Sequence, residues 1–404
     1  MEGNMKTALQ LTMYFVRNYG AVLQTHALQR VIDSIPGWKC MTLDLRPQWI
    51  NGGWSFCAPS RASETVVVKR NLFRRLICRI VSVTSYVISR FRGRFVVQRW
   101  NRIFDDFLDK EIRLTRHYST PDEFGHNPYF ADIYITGSDQ TFNPRFTKGE
   151  LTWFWDFLPR DCADRNRIIS YAASLGTGVL LPEYHQIYAK WLPKYDSLSL
   201  REKKGVDIVK GIGADAAQCC DPTMLLTREQ WAIFAGKSCI RLRKPYVLCY
   251  NLRYAVNPYP MAEVLEEQVG KTLGVQVVHL QEAVDPFVHR IGRTIRYANP
   301  YDFVDLFFNA SFIMTSSLHG TIFALLSGKP FLAYVNDSNS VDCRVKDLLE
   351  TVSAEKHAVP ISRIESIEFN ADDFSPESET ANAIDAFRKS SLRWLKTELS
   401  LGQI

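Results

Sequence analysis

Residues Ser311 to Val335 read SFIMTSSLHGTIFALLSGKPFLAYV. A short apolar run, Ser311 to Met314, ends in a polar knot holding one histidine and one glycine. Helical patterning over 318–327 follows, stopped at Gly328-Lys329-Pro330, and a second apolar run resumes from Phe331 to Val335. Strand, helix and strand at this spacing make a parallel crossover, because parallel strands need a connection long enough to return along the sheet. The pattern repeats outward from here. In the second half, strands are expected at Tyr246 to Tyr250 and Val275 to Leu280, with helices near 259–272 and 301–309. In the first half, Ala8 to Phe15, Cys40 to Leu45, Ala131 to Thr136, Arg167 to Tyr171 and Ser197 to Leu200 read as strands and Val22 to Ile32 as a helix. Apolar runs alternating with helical patterns indicate an α/β fold built on parallel sheets.

A chain of 404 residues is too long for one core, so two domains are expected. The passage from Arg201 to Thr223, REKKGVDIVKGIGADAAQCCDPT, has the glycine-punctuated turn and Asp-Pro stop of a junction between two doubly wound halves. This reading divides the chain into 1–204, 205–374 and a terminal stretch, 375–404. Ser375-Pro376 offers a helix start. The stripe Ile384, Phe387, Leu392, Leu395 and Leu399 behind it needs a surface to cover, and the first domain across the cleft can supply one.

The net charge is +6, and its placement says more than its size. Thr65 to Phe104 holds ten Lys or Arg (Lys69, Arg70, Arg74, Arg75, Arg79, Arg90, Arg92, Arg94, Arg99, Arg102) and no acid. The remainder of the chain is net acidic, which argues against nucleic acid as a partner. Leu72, Phe73, Leu76, Ile77 and Ile80 fall at helical spacing among these arginines. The segment therefore reads as a basic helical insertion, about 61–118, that either lies on an anionic membrane surface or packs on its own domain. Its uncharged stretch, Ile80 to Ser89, is too short to span a bilayer. Nine scattered cysteines without a C-x-x-C pair argue for reduced thiols and against a zinc site, and Thr7, Gln10 and Thr12 interrupt any signal-peptide core. A cytoplasmic protein is expected.

Ligands of open α/β sheets bind where strands end and helices begin. Four loops fall there. Arg17-Asn18-Tyr19-Gly20, before a helix carrying Gln24, is either a ligand loop or a tight turn. Gly137-Ser138-Asp139-Gln140 suits a polyhydroxylated ligand, although Asp139 can equally cap the next element. Arg201 at a strand end can grip a carboxylate or phosphate in bidentate fashion or simply pair with Glu202. His319, in the Thr315-Ser316-Ser317-Leu318-His319-Gly320 loop, sits in a first helical turn that disfavours its protonation unless an anion arrives, and it can equally be a capping residue.

The segments NYGAVLQTHAL, GSDQTFNP, YAASLG, SLRE, CCDPTMLL, SSLHGTIFALLSGKPF and CRVKDLL occur in this order from Leu11 to Leu349. As an ordered set they resemble the polysaccharide pyruvyl transferase family. The resemblance implies a GT-B-like pair of Rossmann-type domains facing a central cleft. It also implies transfer of pyruvate from phosphoenolpyruvate to two hydroxyls of a sugar as a cyclic ketal, with release of phosphate. The S-x-H-G histidine falls on His319 and the R-E arginine on Arg201. Ser316, Ser317, Leu318 and Gly320 go with the donor. Some relatives have arginine where this chain has Ser317, so Arg344 is expected to help anchor the donor. Asn18, Tyr19, Gly20, Gln24, Ser138, Asp139 and Gln140 are the expected acceptor side, on the first domain. No cofactor or metal is required, phosphoenolpyruvate being a co-substrate, and no ligand cluster for a metal is visible. The acceptor implied is a lipid-linked capsule or exopolysaccharide unit, met at the inner face of the membrane. A nucleotide-sugar glycosyltransferase and a non-catalytic sugar-binding protein of the same fold are the rival readings.

Overall fold

Apolar runs bounded by polar loops become strands buried on both faces, as parallel sheets require. The computed structural model describes residues 5–46, 94–164, 166–253, 256–285, 287–338 and 343–401. The first sheet comprises β1 (Lys6–Leu11), β2 (Trp38–Leu45), β3 (Leu114–Tyr118), β4 (Ile133–Thr136) and β5 (Arg167–Ser170), in the order β3-β2-β1-β4-β5. A two-stranded annex, β6 (Ser199–Leu200) with β7 (Ala217–Gln218), adjoins it through a bridge from Ile169 to Ser197 and straddles residue 204. The second sheet comprises β8 (Tyr246–Tyr250), β9 (Gln276–Leu280), β10 (Arg293–Ile295), β11 (Phe312–Thr315), β12 (Phe331–Val335) and β13 (Ala358–Pro360), in the order β10-β9-β8-β11-β12-β13. All pairings in both sheets are parallel. Each sheet therefore reverses its strand order once, between β1 and β4 and between β8 and β11, and a crevice opens at each reversal.

The stretch around His319 forms the expected crossover. β11 leads into the helix Leu318–Ser327, Gly328 ends that helix at φ +63°, and β12 returns so that Ile313 pairs with Phe331. A left-handed residue at this place favours glycine. β1 is shorter than its apolar run suggests: the chain leaves the sheet after Leu11, and Tyr14 and Phe15 are buried in a turn closed by Val16 N–H donating to Met13 O. β3, β10 and β13 join the sheets without having been anticipated.

An aromatic interface joins the domains. Tyr19 stacks on Phe303 with ring centroids 4.5 Å apart and donates its hydroxyl to Ala298 O, while Phe107 meets Tyr301 edge-on at 5.5 Å. The helix Ser378–Leu401 starts later than Ser375-Pro376 suggests and returns to the first domain. There Arg167 pairs with Glu398 at 2.6 Å and Ser391 Oγ accepts from Cys220 N–H. Of the basic segment, the helix at 94–111 is described, and its Trp100, Phe104 and Phe107 enter the core. The amphipathic stretch around Arg70 to Ile80 lies outside the described residues. No helix among the described residues is long and apolar enough to cross a membrane.

Candidate active site

The loops after β1, β4, β8 and β11 converge, so the crevices of the two sheets face one another. The resulting cleft has a cavity volume of about 60 Å³ and is lined by Asn18, Gly20, Asp139, Gln140, Ser317, Leu318, His319 and Arg344, with Met13, Val16, Phe146, Tyr250 and Leu252 as an apolar wall. Three helices begin at it. Asn18 caps the helix Tyr19–Asp33 by accepting from Ala21 N–H, and Ser317 caps Leu318–Ser327 by accepting from Gly320 N–H. The third, Arg344–Thr351, brings Arg344 on its first residue.

The histidine loop is fixed from below. Thr315 Oγ1 donates to Tyr250 O at 2.6 Å and accepts from Ser317 N–H, and Ser316 Oγ accepts from Leu252 N–H. A Cβ on Gly320 would lie 2.2 Å from Thr315 Oγ1, so the tight approach of helix to strand requires glycine. His319 then reaches across to the first domain, where its ring covers Gly20. A Cβ at Gly20 would stand 2.0 Å from Nδ1.

Behind the ring, Nε2 lies 3.4 Å from Asp221 Oδ2, an ion-pair distance without hydrogen-bond alignment. Asp221 is fully held. Its Oδ1 accepts from Thr223 N–H and Oγ1, and its Oδ2 accepts from Arg201 Nη1 at 2.7 Å and from Ser138 Oγ at 3.4 Å. Burial alone would raise the Asp221 carboxyl, but the charges of His319 and Arg201 outweigh it and hold the group well below the usual carboxylate range. Arg201 also donates from Nε to Glu202 Oε1, and its Nη2 is 3.9 Å from Asp139 Oδ1 without a hydrogen-bond partner. Burial works against its charge, and the three carboxylates of Glu202, Asp221 and Asp139 more than compensate. Nε2 being turned inward, Nδ1 is the ring nitrogen on the Gly20 side of the cleft.

This placement corrects several sequence-based assignments. Arg201 does not line the cleft; it lies behind His319 in a smaller space of about 10 Å³ shared with Asp221 and Arg344. It is also no surface partner of Glu202, since both are buried. Tyr19 is consumed by the domain interface. Gln24 donates to Thr12 Oγ1 and Ala21 O, Ser138 faces Asp221, and Ser316 and Gly320 are committed to the loop itself. Asp139 lines the cleft at φ +75°, a conformation that costs a non-glycine residue about 1–3 kcal/mol and clusters at functional sites. Asp221 went unassigned, although the Asp-Pro within CCDPT marks it as a helix cap.

Solved structures share this architecture at low sequence identity. A Listeria monocytogenes protein assigned as a UDP-N-acetylglucosamine 2-epimerase is 12% identical, covers 98% of this chain and 97% of its own, and superposes with a TM-score of 0.54. The MnaA–UDP complex of S. aureus is 11% identical with 98% of both chains covered and a TM-score of 0.53. The UDP-GlcNAc 2-epimerase of Neisseria meningitidis, bound to UDP-GlcNAc, is 10% identical over 96% of this chain and 100% of its own, with a TM-score of 0.52. These likenesses show the GT-B fold. No curated protein sequence matches the chain. The family model of the polysaccharide pyruvyl transferases does match, over residues 70–338, which takes in β3 to β12 and the His319 loop, and the chain belongs to that family.

Proposed function

We propose that the protein moves pyruvate from phosphoenolpyruvate onto two hydroxyls of a sugar, forming a cyclic ketal and releasing phosphate. The observation that carries this reading is His319 at the meeting of both crevices, backed by Asp221 and Arg201 and fronted by three helix N-termini. Phosphoenolpyruvate brings a carboxylate and a phosphate. Helix N-termini attract such anions through their unpaired N–H groups, and a guanidinium such as that of Arg344 adds a bidentate contact.

The chemistry needs an acid first. His319, protonated, gives its proton to the methylene carbon of the enol, and the first sugar hydroxyl bonds to the electron-poor C2 while its proton returns to the imidazole. The second hydroxyl then bonds to C2 as the C–O bond to phosphate breaks, its proton leaving with phosphate. Asp221 stays ionised throughout and supports the imidazolium that the helix N-terminus opposes. Arg201 positions Asp221. The acceptor stands on the Asn18, Asp139 and Gln140 side, and the lipid-linked unit fits a chain whose basic segment meets anionic lipid.

The test incubates the protein with phosphoenolpyruvate and a panel of galactosides, glucosides and mannosides, following free phosphate and a mass gain of one pyruvate. His319→Ala should lose at least about 100-fold in turnover, the usual worth of one general acid/base, while keeping its fold. Near-normal turnover in that variant removes the assignment. Sugar transfer from a UDP-sugar without phosphoenolpyruvate would instead make the protein a glycosyltransferase.

A further inference from the structure

A second chemical cluster lies inside the second domain, on a face of its sheet packed by Val247, Leu265 and Phe312. Cys249 on β8, Glu266 on the helix Met261–Leu273 and His279 on β9 each point one donor atom inward, and these atoms lie within 4.8 Å of one another. All three residues are buried, Glu266 completely. Hydrogen bonding, including that of the Cys249 thiol with Glu266, explains only part of the gathering. Glu266 Oε1 accepts from Asn251 Nδ2 and from the Tyr259 hydroxyl, both at 3.1 Å, but Oε2 lies 3.9 Å from His279 Nδ1 and lacks hydrogen-bond geometry to it. Neither ring nitrogen of His279 has a hydrogen-bond partner; the Ile291 backbone is near it without hydrogen-bond geometry. His289 stacks on His279 at 3.7 Å, with its own Nδ1 3.8 Å from Glu263 Oε1. Buried polar atoms are almost always paired, because an orphan forfeits its solvation without replacement, so several orphans facing one point call for a missing partner.

We propose that Cys249, Glu266 and His279 hold a divalent transition metal, with Zn²⁺ the best fit. The ligand chemistry selects the class. One sulfur, one nitrogen and one oxygen suit Zn²⁺, whereas Mg²⁺ and Ca²⁺ want oxygen alone. Tetrahedral Zn²⁺ with ligands at about 2.0–2.3 Å spaces its donors by about 3.3–3.8 Å, so a small contraction of the cluster is enough. A cation satisfies Oε2 and a His279 nitrogen together. Its work is structural: it ties β8 and β9 to the helix Met261–Leu273, one residue behind Tyr250 of the cleft wall. The positions are 17 and 13 residues apart, a spacing that matches no metal-binding pattern in sequence.

The full chain, produced without a histidine tag, is assayed for metal after gel filtration, and the Zn²⁺ and Co²⁺ forms are studied by X-ray absorption and optical spectroscopy. The expected result is about one zinc per chain, a coordination shell with a single sulfur, and a melting temperature lowered by chelator and restored by Zn²⁺. The Co²⁺ form should show a thiolate charge-transfer band that Cys249→Ser loses. Metal-free protein with a melting temperature indifferent to chelator and Zn²⁺ overturns the proposal. A shell with no sulfur or with several does so as well, and this readout needs no variant to fold. A band that persists in Cys249→Ser places the metal elsewhere and also overturns it.

Discussion

His319 occupies a first helical turn, where aligned N–H groups oppose an imidazolium, and Asp221 is what the fold sets against that opposition. Asp221→Asn keeps the shape, removes the charge and leaves Arg201 partly uncompensated in a buried site. Breaking such a pair costs about 3–5 kcal/mol, and turnover should fall because the His319 ring loses the carboxylate behind it. The pH dependence has a definite sign. A carboxyl held below its unfolded pKa lends stability that is complete above that unfolded value and is lost as pH falls toward the folded one. The acid limb of the stability profile should therefore flatten in Asp221→Asn between about pH 5 and pH 2, read from urea midpoints at each pH. An unchanged limb would mean that the pair is not charged. Gly20→Ala is the complementary change. Its Cβ enters the His319 ring, overpacking that costs about 1–3 kcal/mol, and kcat should drop by at least tenfold; wild-type kcat would show that the ring is free to move aside. His319, Asn18 and Asp139 were legible in sequence because strand ends advertise themselves. Asp221 was not, since its partners Ser138, Arg201 and His319 come from three distant segments that only the folded chain brings together.

At the scale of elements, the strands most readily read were the central ones. β8 and β12 match their apolar runs residue for residue, because burial on both faces leaves little but hydrophobic choices. β3 (LTRHY) and β10 (RTI) are edge strands carrying charge, a device that discourages further pairing and hides a strand from periodicity. The basic segment divides. Its end, the helix at 94–111, is a packing element through Trp100 and Phe104. Seven of the ten cations, Lys69 to Arg92, lie outside the described residues, and anionic lipid would offer about 1 kcal/mol for each near the surface. Wild type should float with anionic vesicles at low salt, and a variant with Arg70, Arg74, Arg75 and Arg79 changed to Gln should not. Equal behaviour of the two proteins withdraws the membrane docking and leaves the proposed transfer reaction untouched.

Across the whole molecule, the two sheets contribute matching halves of one site, and the aromatic interface around Tyr19 and Phe303 keeps those halves in register. The helices at the cleft give this arrangement a further consequence. Tyr19–Asp33 and Leu318–Ser327 belong to different domains and present their N-termini to the same space, each equivalent to roughly half a positive charge. Like ends repel, and a multiply charged anion between them would turn that repulsion into attraction. In the proposed reaction, phosphoenolpyruvate would thereby act as a latch. Small-angle scattering should register a smaller radius of gyration with phosphoenolpyruvate than with sugar alone, and initial rates should follow a compulsory order with the donor bound first. Random-order kinetics with an unchanged radius would show the walls to be indifferent to charge. If the latch operates, the sugar meets His319 only in a chamber already sealed around an activated donor, and stray water is kept from claiming the pyruvate before the sugar does.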